Sequence, residues 1–519
     1  MAGKGGALSS KQAASLIALF WALVIGVAMV LVFVGEDKPK NKKPDNEETV
    51  TRVTLTALDE YVRKYDPNYS YKVLTDYTVR NQASTSFVIN MTSQAWMTEN
   101  VTSQHIWWHY LIVTIPDVIE MPDVGFLYVT GGSNTNSPPD PSTDAEARLI
   151  TFAAEELKCV GTMMRQNPNQ PIKFKNDPKQ KNRREDDIIA YTFRQFVDGP
   201  FSDDPEIVVL LPMVKAAVRA LDTMNSFASS KINRFYVAGA SKRGWITWLT
   251  GVVDDRVVAI MPMVLTLLNM GPNFKHHYRS LNGWSFAIRP YWEEDCMRYL
   301  DHPDAPKLLE IVDPYEYIPR LTKPKYVISA SGDEFFLPDD HHYWYKNMQG
   351  PTMLRIHPNA EHSLAGHWRR MAQECVSFVL WNEEGWKWPN ITWTRHENHN
   401  FGSIIVKTDV EPLSIKAFSA DTTQHQRRDW RLLIARTENT TDVKPQAIIY
   451  RDVGVGSPEP NVYKAEIAIP KIGWNCFFIE MFFPGPKGTQ IAFTTEVNIV
   501  PNTFPVDECF KDECIGRLV

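Results

Sequence analysis

The sequence predicts an α/β domain with a mainly parallel central sheet, followed by a C-terminal all-β sandwich and preceded by one apolar helix. Three observations carry this. Between about residues 51 and 387, short continuously apolar runs alternate with longer helical patterns. From residue 388 onward the runs turn short and alternating, separated by turn residues and without a long helical pattern. Near the N-terminus, residues 13–35 carry no charge at all.

Residues 1–12 read as a short tail. As a helix rising ~1.5 Å per residue, "AASLIALFWALVIGVAMVLVFVG" (13–35) would span roughly 34 Å, enough for a hydrocarbon core of about 30 Å. It is longer than the apolar stretch of about 7–15 residues in a cleaved signal peptide, and no small-x-small cleavage site follows. A retained transmembrane signal anchor in a lipid bilayer is the expectation, with secretion after cleavage as the alternative. "EDKPKNKKPDNEET" (36–49) lacks aliphatic residues and reads as a solvated stalk running to residue 50. Its Lys38, Lys40, Lys42 and Lys43 suit lipid headgroups or solvent.

Lysines on both sides of the apolar run leave its orientation undecided by charge. Asn-x-Ser/Thr sequons at Asn68, Asn90, Asn100, Asn390 and Asn439 need a lumenal surface to be used. Six cysteines permit disulfides, and Cys509 with Cys514 could close a short loop; six buried thiols would fit the count as well. These features place the body outside the cytoplasm, as a glycoprotein.

With 519 residues, two or three domains are expected, and 44% apolar against 22% charged residues is enough for a large core. The net charge of −6 and the lack of a basic face in the body exclude a nucleic-acid partner. In the α/β domain (51–387), "HYLIVTIP", "GFLYVTGG", "RFYVAGA", "VVAIMPMV", "KYVISASG" and "TMLRIHP" are the candidate strands. Most lack alternation, as strands buried on both faces do. "VVLLPMVKAAVRALDTMNSFASS" (208–230) has the spacing of a crossover helix. In the β-rich domain (388–519), "SIIVKTDV", "SIKAFSAD", "WRLLIART", "AIIYRDV", "KAEIAIP", "NCFFIEMFF" and "QIAFTTEVNIV" are the candidates.

The stretch "RFYVAGASKRGWITWL" (234–249) runs from a buried strand through a small-residue corner into a helical pattern, with Ser241 at the apex. A serine hydroxyl is a weak nucleophile unless a sharp turn exposes it beside a base. The usual elbow has glycine two residues after the serine; here Arg243 stands there and Gly244 follows one later. A tight strand–helix turn with an incidental serine is the competing explanation. Two distant residues decide between them. Asp333 comes just past "KYVISASG", and His362 follows "TMLRIHP" on the next loop. Serine, acid and histidine, each after its own strand and in that order, is the α/β-hydrolase pattern. His362 would take the Ser241 proton and Asp333 would hold the imidazole tautomer. Glu334 and Asp339 are rival acids, and His357, inside its strand, is the rival base. The glycine pair in "LYVTGGSN" (127–134) offers the Gly132 or Ser133 amide as a second oxyanion donor beside that of Lys242, or else is a plain turn.

"NMTSQAW", "RQNPNQPIKF", "REDDIIAYTFRQF", "GASKRGWITWL", "VDPYEYIPRLTKPKYVISASGDEFFLPDD" and "HPNAEHSL" together resemble the PhoPQ-activated pathogenicity-related protein family, which takes in autocrine proliferation repressors of slime moulds. The resemblance runs from about residue 55 to the C-terminus. It implies an α/β-hydrolase domain followed by a β-rich domain and supports Ser241, Asp333 and His362 as a triad, without naming a substrate. The serine corner is also similar to that of glucuronoyl esterases, where a basic residue likewise follows the serine and glycine stands at plus three.

Other clusters have plainer explanations. Adjacent histidines in "KHHYRSLNGW" (275–284) and "DDHHYWY" (339–345) rarely face one ion, and no HExxH or CxxC occurs, so neither metal nor cofactor is expected. Residues 276–293 fit either a cap over the serine or ordinary packing. "QHIWWHY" (104–110) reads as aromatic core. Arg183, Arg184, Glu185, Asp186 and Asp187 read as a solvated run opening a helix. The function expected is a serine hydrolase acting on a small-molecule ester or peptide substrate. The rival is a signalling or adhesion protein that binds a cell-surface partner on a hydrolase scaffold.

Overall fold

The computed structural model describes residues 55–228 and 232–519; the 13–35 run and the 36–50 stalk lie outside them. Among the described residues no helix is long and apolar enough to cross a membrane. Helix α1 (Ala57–Arg63) opens the described residues with a reciprocal cap, Thr56 accepting from the Asp59 N–H and the Asp59 carboxylate from the Thr56 N–H. Strands β1 (Ser70–Arg80), β2 (Ser84–Ala95) and β3 (Ile106–Pro116) then form an antiparallel meander. Next come β4 (Val124–Val129), α2 (Ala145–Leu157), β5 (Val160–Met164), α3 (Asp186–Asp198) and α4 (Leu210–Phe227). The chain continues through β6 (Arg234–Ala240), α5 (Lys242–Val253), β7 (Val257–Met263), α6 (Met270–Leu281), α7 (Arg289–Glu293) and α8 (Ala305–Val312). Strands β8 (Lys325–Ala330) and β9 (Thr352–His357) and helix α9 (Trp368–Glu383) complete the α/β part.

The strands form one mixed sheet in the order β1-β2-β3-β5-β4-β6-β7-β8-β9. From β5 to β9 all neighbours are parallel, and β1 to β3 join at one edge in antiparallel fashion. This is an α/β-hydrolase-like sheet. Side chains alternate across it as a two-residue period requires. Leu127, Val129, Phe235 and Val237 face the core under α1, α4 and α5. Phe126, Tyr128, Tyr236 and Ala238 face the core under α2 and α9. Burial on both faces explains why the parallel strands read as continuous apolar runs. β1 and β2 escaped the sequence reading because β1 is an edge strand with a mostly exposed or half-buried surface, and β2 alternates polar residues. β5 is only "VGTMM".

Beyond α9 the chain is antiparallel. Strands β10 (Ile391–Glu397), β11 (Phe401–Thr408), β12 (Ser414–Asp421), β13 (Leu433–Ala435), β14 (Val443–Pro445), β15 (Arg451–Asp452) and β16 (Gly456–Glu459) come first. β17 (Val462–Ala468), β18 (Asn475–Pro484), β19 (Gln490–Thr494) and β20 (Asn498–Val500) follow. One sheet has the order β10-β11-β17-β16, another β15-β12-β18-β19 with β20 also on β18, and β13 pairs with β14 alone. Their inner residues, among them Ile404, Tyr463, Ile479 and Phe493, share a core with Tyr326, Phe378 and Trp381 of the α/β part. Polar ties reinforce it. The Tyr326 hydroxyl donates to the Ala492 carbonyl at 2.8 Å. The fully buried Arg355 of β9 pairs with Glu374 of α9 at 3.1 Å and Glu480 of β18 at 3.2 Å.

Candidate active site

Strand β6 ends at Ala240, and the chain turns at once into α5. Ser241 sits at the corner with φ 59° and ψ −130°, a left-handed conformation costing on the order of 1–3 kcal/mol for a non-glycine residue. Two bonds hold it there: the Ser241 N–H donates to the Met263 carbonyl at 2.9 Å, and its carbonyl accepts the first helical bond from Trp245 at 3.1 Å. The glycines show why small residues flank it. A Cβ on Gly239 would stand 2.6 Å from the Arg243 carbonyl oxygen, and one on Gly244 would stand 2.7 Å from that of Met263. Gly244 at plus three is thus the position where the helix lies directly against β7, and plus two is free to carry arginine.

Asp333 and His362 follow β8 and β9, so both emerge at the same edge of the parallel strands as Ser241. The structure brings the three together. His362 Nε2 lies 2.8 Å from Ser241 Oγ, and its Nδ1 lies 2.8 and 2.9 Å from the two carboxylate oxygens of Asp333. Asp333 is buried and also accepts the N–H groups of Phe335 and Phe336, at 2.7 and 3.2 Å. Phe335 covers the imidazole with ring centres 4.3 Å apart. Burial alone would lower the His362 pKa, but the Asp333 carboxylate outweighs it and holds the imidazole above its ordinary value.

None of the rivals takes the place of Asp333 or His362. Asp339 pairs with Arg428 at 2.7 Å and His276 at 3.0 Å. His357 is buried at the end of β9, 3.5 Å from Glu374. Glu334 points back at the histidine loop and accepts the backbone N–H of His362 at 2.9 Å. Burial, and then the charge of Asp333, push its pKa up to about 7.

The N–H groups of Lys242, Gly132 and Ser133 donate to no acceptor among the described residues. Gly132 has φ 138°, and its carbonyl, with that of Ser133, is held by the Gln170 and Gln166 side chains at 3.1 Å each. The first N–H of α5, that of Lys242, opens beside Ser241, where a helix leaves its leading amides without partners.

The run at 183–187 differs from the solvated stretch expected. Arg183 is fully buried and bonds Asp177 and Glu294 at 3.0 Å each. Glu185 reaches across to the serine corner, 2.7 Å from Arg243 and 3.0 Å from Lys242. Burial would raise the Glu185 pKa, but the two cations hold it well below the usual carboxylate range. The Arg243 guanidinium packs on Gly131, where a Cβ would come within 2.7 Å of it. This brace is invisible in sequence because its partners lie 58 positions apart; charges crowding both a helix start and a serine corner were the available signal.

A cavity with an empty volume of about 1150 Å³, open mouth included, extends from Ser241 under residues 286–309. Of the 276–293 segment, His277, Ile288 and Tyr291 line this cavity together with Ser241. Of the "QHIWWHY" residues, Trp107 and His109 are fully buried. Cys509 and Cys514 form a disulfide. Asn68, Asn100, Asn390 and Asn439 are exposed, and Asn90 is half-buried within β2.

The sequence pattern of the PhoPQ-activated pathogenicity-related protein family matches residues 58–431. The chain belongs to this family. Its relatives include autocrine proliferation repressor protein A of Dictyostelium discoideum, 36% identical over 482 residues that cover 90% of this chain and 95% of the relative. Among solved structures, an acetyl xylan esterase of a Thermoanaerobacterium species is similar with 14% identity and a TM-score of 0.41, over 62% of this chain and 92% of its own. A glucuronoyl esterase of Solibacter usitatus shows 14% identity and a TM-score of 0.34 over 60% and 86%. Likenesses at this level add nothing to the geometry above. Within the family member described here, the serine corner, the acid loop and the histidine loop occupy one sheet edge.

Proposed function

We propose that this chain is a serine hydrolase that cleaves an ester or peptide-like bond through an acyl-enzyme on Ser241. The observation that carries the proposal is His362 bridging Ser241 and Asp333 through its two ring nitrogens, at 2.8 Å on each side. With Nδ1–H donating its hydrogen bond to the Asp333 carboxylate, Nε2 is free to take the Ser241 proton as the hydroxyl attacks a carbonyl. The same nitrogen then returns the proton to the leaving group. Water repeats the cycle on the acyl-enzyme. The Lys242 amide and that of Gly132 or Ser133 would face the oxyanion. Labelling of the purified protein by a fluorophosphonate, with Ser241→Ala as the control, tests this; equal labelling of both proteins would refute it.

A second reading rests on the name of the Dictyostelium relative: a secreted regulator of proliferation that binds a cell-surface partner on this scaffold. Wild-type activity in a proliferation assay from a Ser241→Ala protein would favour it. Either function is placed outside the cytoplasm, with residues 13–35 as a membrane anchor. The four exposed sequons and the Cys509–Cys514 disulfide support that placement. Glycosidase treatment should increase gel mobility, and alkaline carbonate should leave the protein in the membrane. Unshifted mobility would remove the placement, and a new N-terminus near residue 36 in the medium would show a cleaved signal.

A further inference from the structure

Five segments wall the cavity beside Ser241 with hydrocarbon. Trp245 comes from α5, Leu267 from the turn after β7, Met270 and Phe274 from α6, Leu309 from α8 and Phe336 from the acid loop. Apart from one nitrogen of Arg194, the polar side chains that reach it are already committed to protein partners. Lys242 pairs with Glu185 and Asp186 at 3.0 and 3.1 Å. The Tyr291 hydroxyl donates to Asp186 at 3.0 Å, and the Trp245 indole N–H to the Val312 carbonyl at 2.6 Å. His277 Nε2 accepts the Ser285 N–H at 3.2 Å. Arg194 pairs with Asp198 at 3.3 Å and stacks on Tyr299, 3.7 Å from the ring centre, although its Nη1 has no partner.

A sugar or a charged peptide side chain entering this space would lose its water and find almost nothing to bond, at a cost for each polar group. A hydrocarbon chain would lose nothing and gain by leaving water. Resting on the serine-hydrolase reading, we infer that the substrate is an ester bearing a medium or long hydrocarbon chain, seated in this cavity while its carbonyl meets Ser241. The chain could belong to the acyl or to the alcohol part of the ester; both present the same chemistry to the wall.

Two ester series test this on the full chain, one lengthening the acyl group from acetyl to dodecanoyl, the other lengthening the alcohol on a fixed acetyl group. Burial of each methylene is worth about 0.8 kcal/mol, about fourfold in kcat/KM per carbon until the cavity is full. A rise of at least tenfold between four and eight carbons in either series supports the inference and says which side of the ester the cavity holds. A flat or falling profile in both overturns it. Gly271 gives a second handle, because a Cβ there meets only Leu309, at 3.8 Å. Gly271→Leu should fold and fill part of the cavity, cutting the long-to-short preference at least tenfold; an unchanged preference would also overturn the inference. Failure of Ser241 to react with any fluorophosphonate would instead remove the hydrolase reading, whereas labelling with flat chain-length profiles removes the hydrocarbon inference alone.

Discussion

The Glu334 carboxylate accepts the backbone N–H of His362 at 2.9 Å, one residue along from Asp333, whose carboxylate holds the imidazole of the same histidine at 2.8 Å. Adjacent acids thus grip one residue by its main chain and its side chain. Their charges compete. Asp333 makes three further contacts that suit an anion, whereas Glu334 leaves its Oε1 buried and unpartnered.

Glu334→Gln keeps an acceptor for the His362 N–H and removes the second charge. Because the Glu334 carboxylate helps to hold the His362 pKa up, behind Asp333, the acid limb of the kcat/KM profile should move to lower pH. The maximal rate should change less than tenfold, since Asp333 still orients the ring. Stability should respond as well. The Glu334 pKa is about 7 in the folded chain against an ordinary 4.5, so the folded state holds its proton more tightly. That stabilisation is full below the ordinary value and is lost as pH rises through the folded one, on the order of 3 kcal/mol at most. Urea midpoints at pH 5 and pH 8 should therefore differ less in Glu334→Gln than in the wild type. A wider gap would contradict the assignment.

Ser241→Ala and His362→Ala should each lower hydrolysis by about 10⁴–10⁶ while leaving the circular dichroism spectrum intact. Asp333→Asn should cost less than either, as a residue that acts through the imidazole. If Glu334→Gln proved the more damaging, the acid role would belong to Glu334.

Gly244→Ala should disable the site without touching any of the three side chains. Its Cβ would stand 2.7 Å from the Met263 carbonyl oxygen, the same oxygen that accepts the Ser241 N–H. Relieving that contact requires α5 to move off β7, at about 1–3 kcal/mol. Fluorophosphonate labelling should slow at least tenfold, and a lowered melting temperature should accompany it. Wild-type labelling would show that the corner tolerates the shift.

The antiparallel region should be inseparable from the site. Asn359, on the loop leading to His362, exchanges two hydrogen bonds with the Tyr450 backbone, at 2.7 and 2.9 Å, and the Leu432 N–H donates to Gly332 beside Asp333 at 2.9 Å. Truncation after Glu384 should therefore give a poorly soluble protein that labels weakly. Arg355→Met is the gentler probe: it takes the buried cation from Glu374 and Glu480 and leaves them only the half-exposed Arg370, at 3.3 and 3.9 Å, which should cost about 3 kcal/mol in denaturant unfolding. A soluble 51–384 fragment with wild-type melting and labelling would refute the dependence.

Much of this was legible in the sequence because it depends on local order. Parallel strands buried on both faces leave continuous apolar runs, and a serine, an acid and a histidine placed after successive strands need only the chain order to be recognised. The same locality identified Gly244 as the displaced elbow glycine, although not the strand it lies against. Other features required the tertiary structure, because they join residues far apart in the chain. The Glu185 brace on Lys242 and Arg243, the burial of Arg183, and the grip of Tyr450 on the histidine loop are pairings between distant segments, and charge patterning read along one segment cannot reveal them. β1 hid for a related reason: an edge strand exposes much of its surface, so its sequence carries little of the apolar signal that marks the centre of the sheet, while β2, though inside the sheet, interleaves polar residues with its apolar ones.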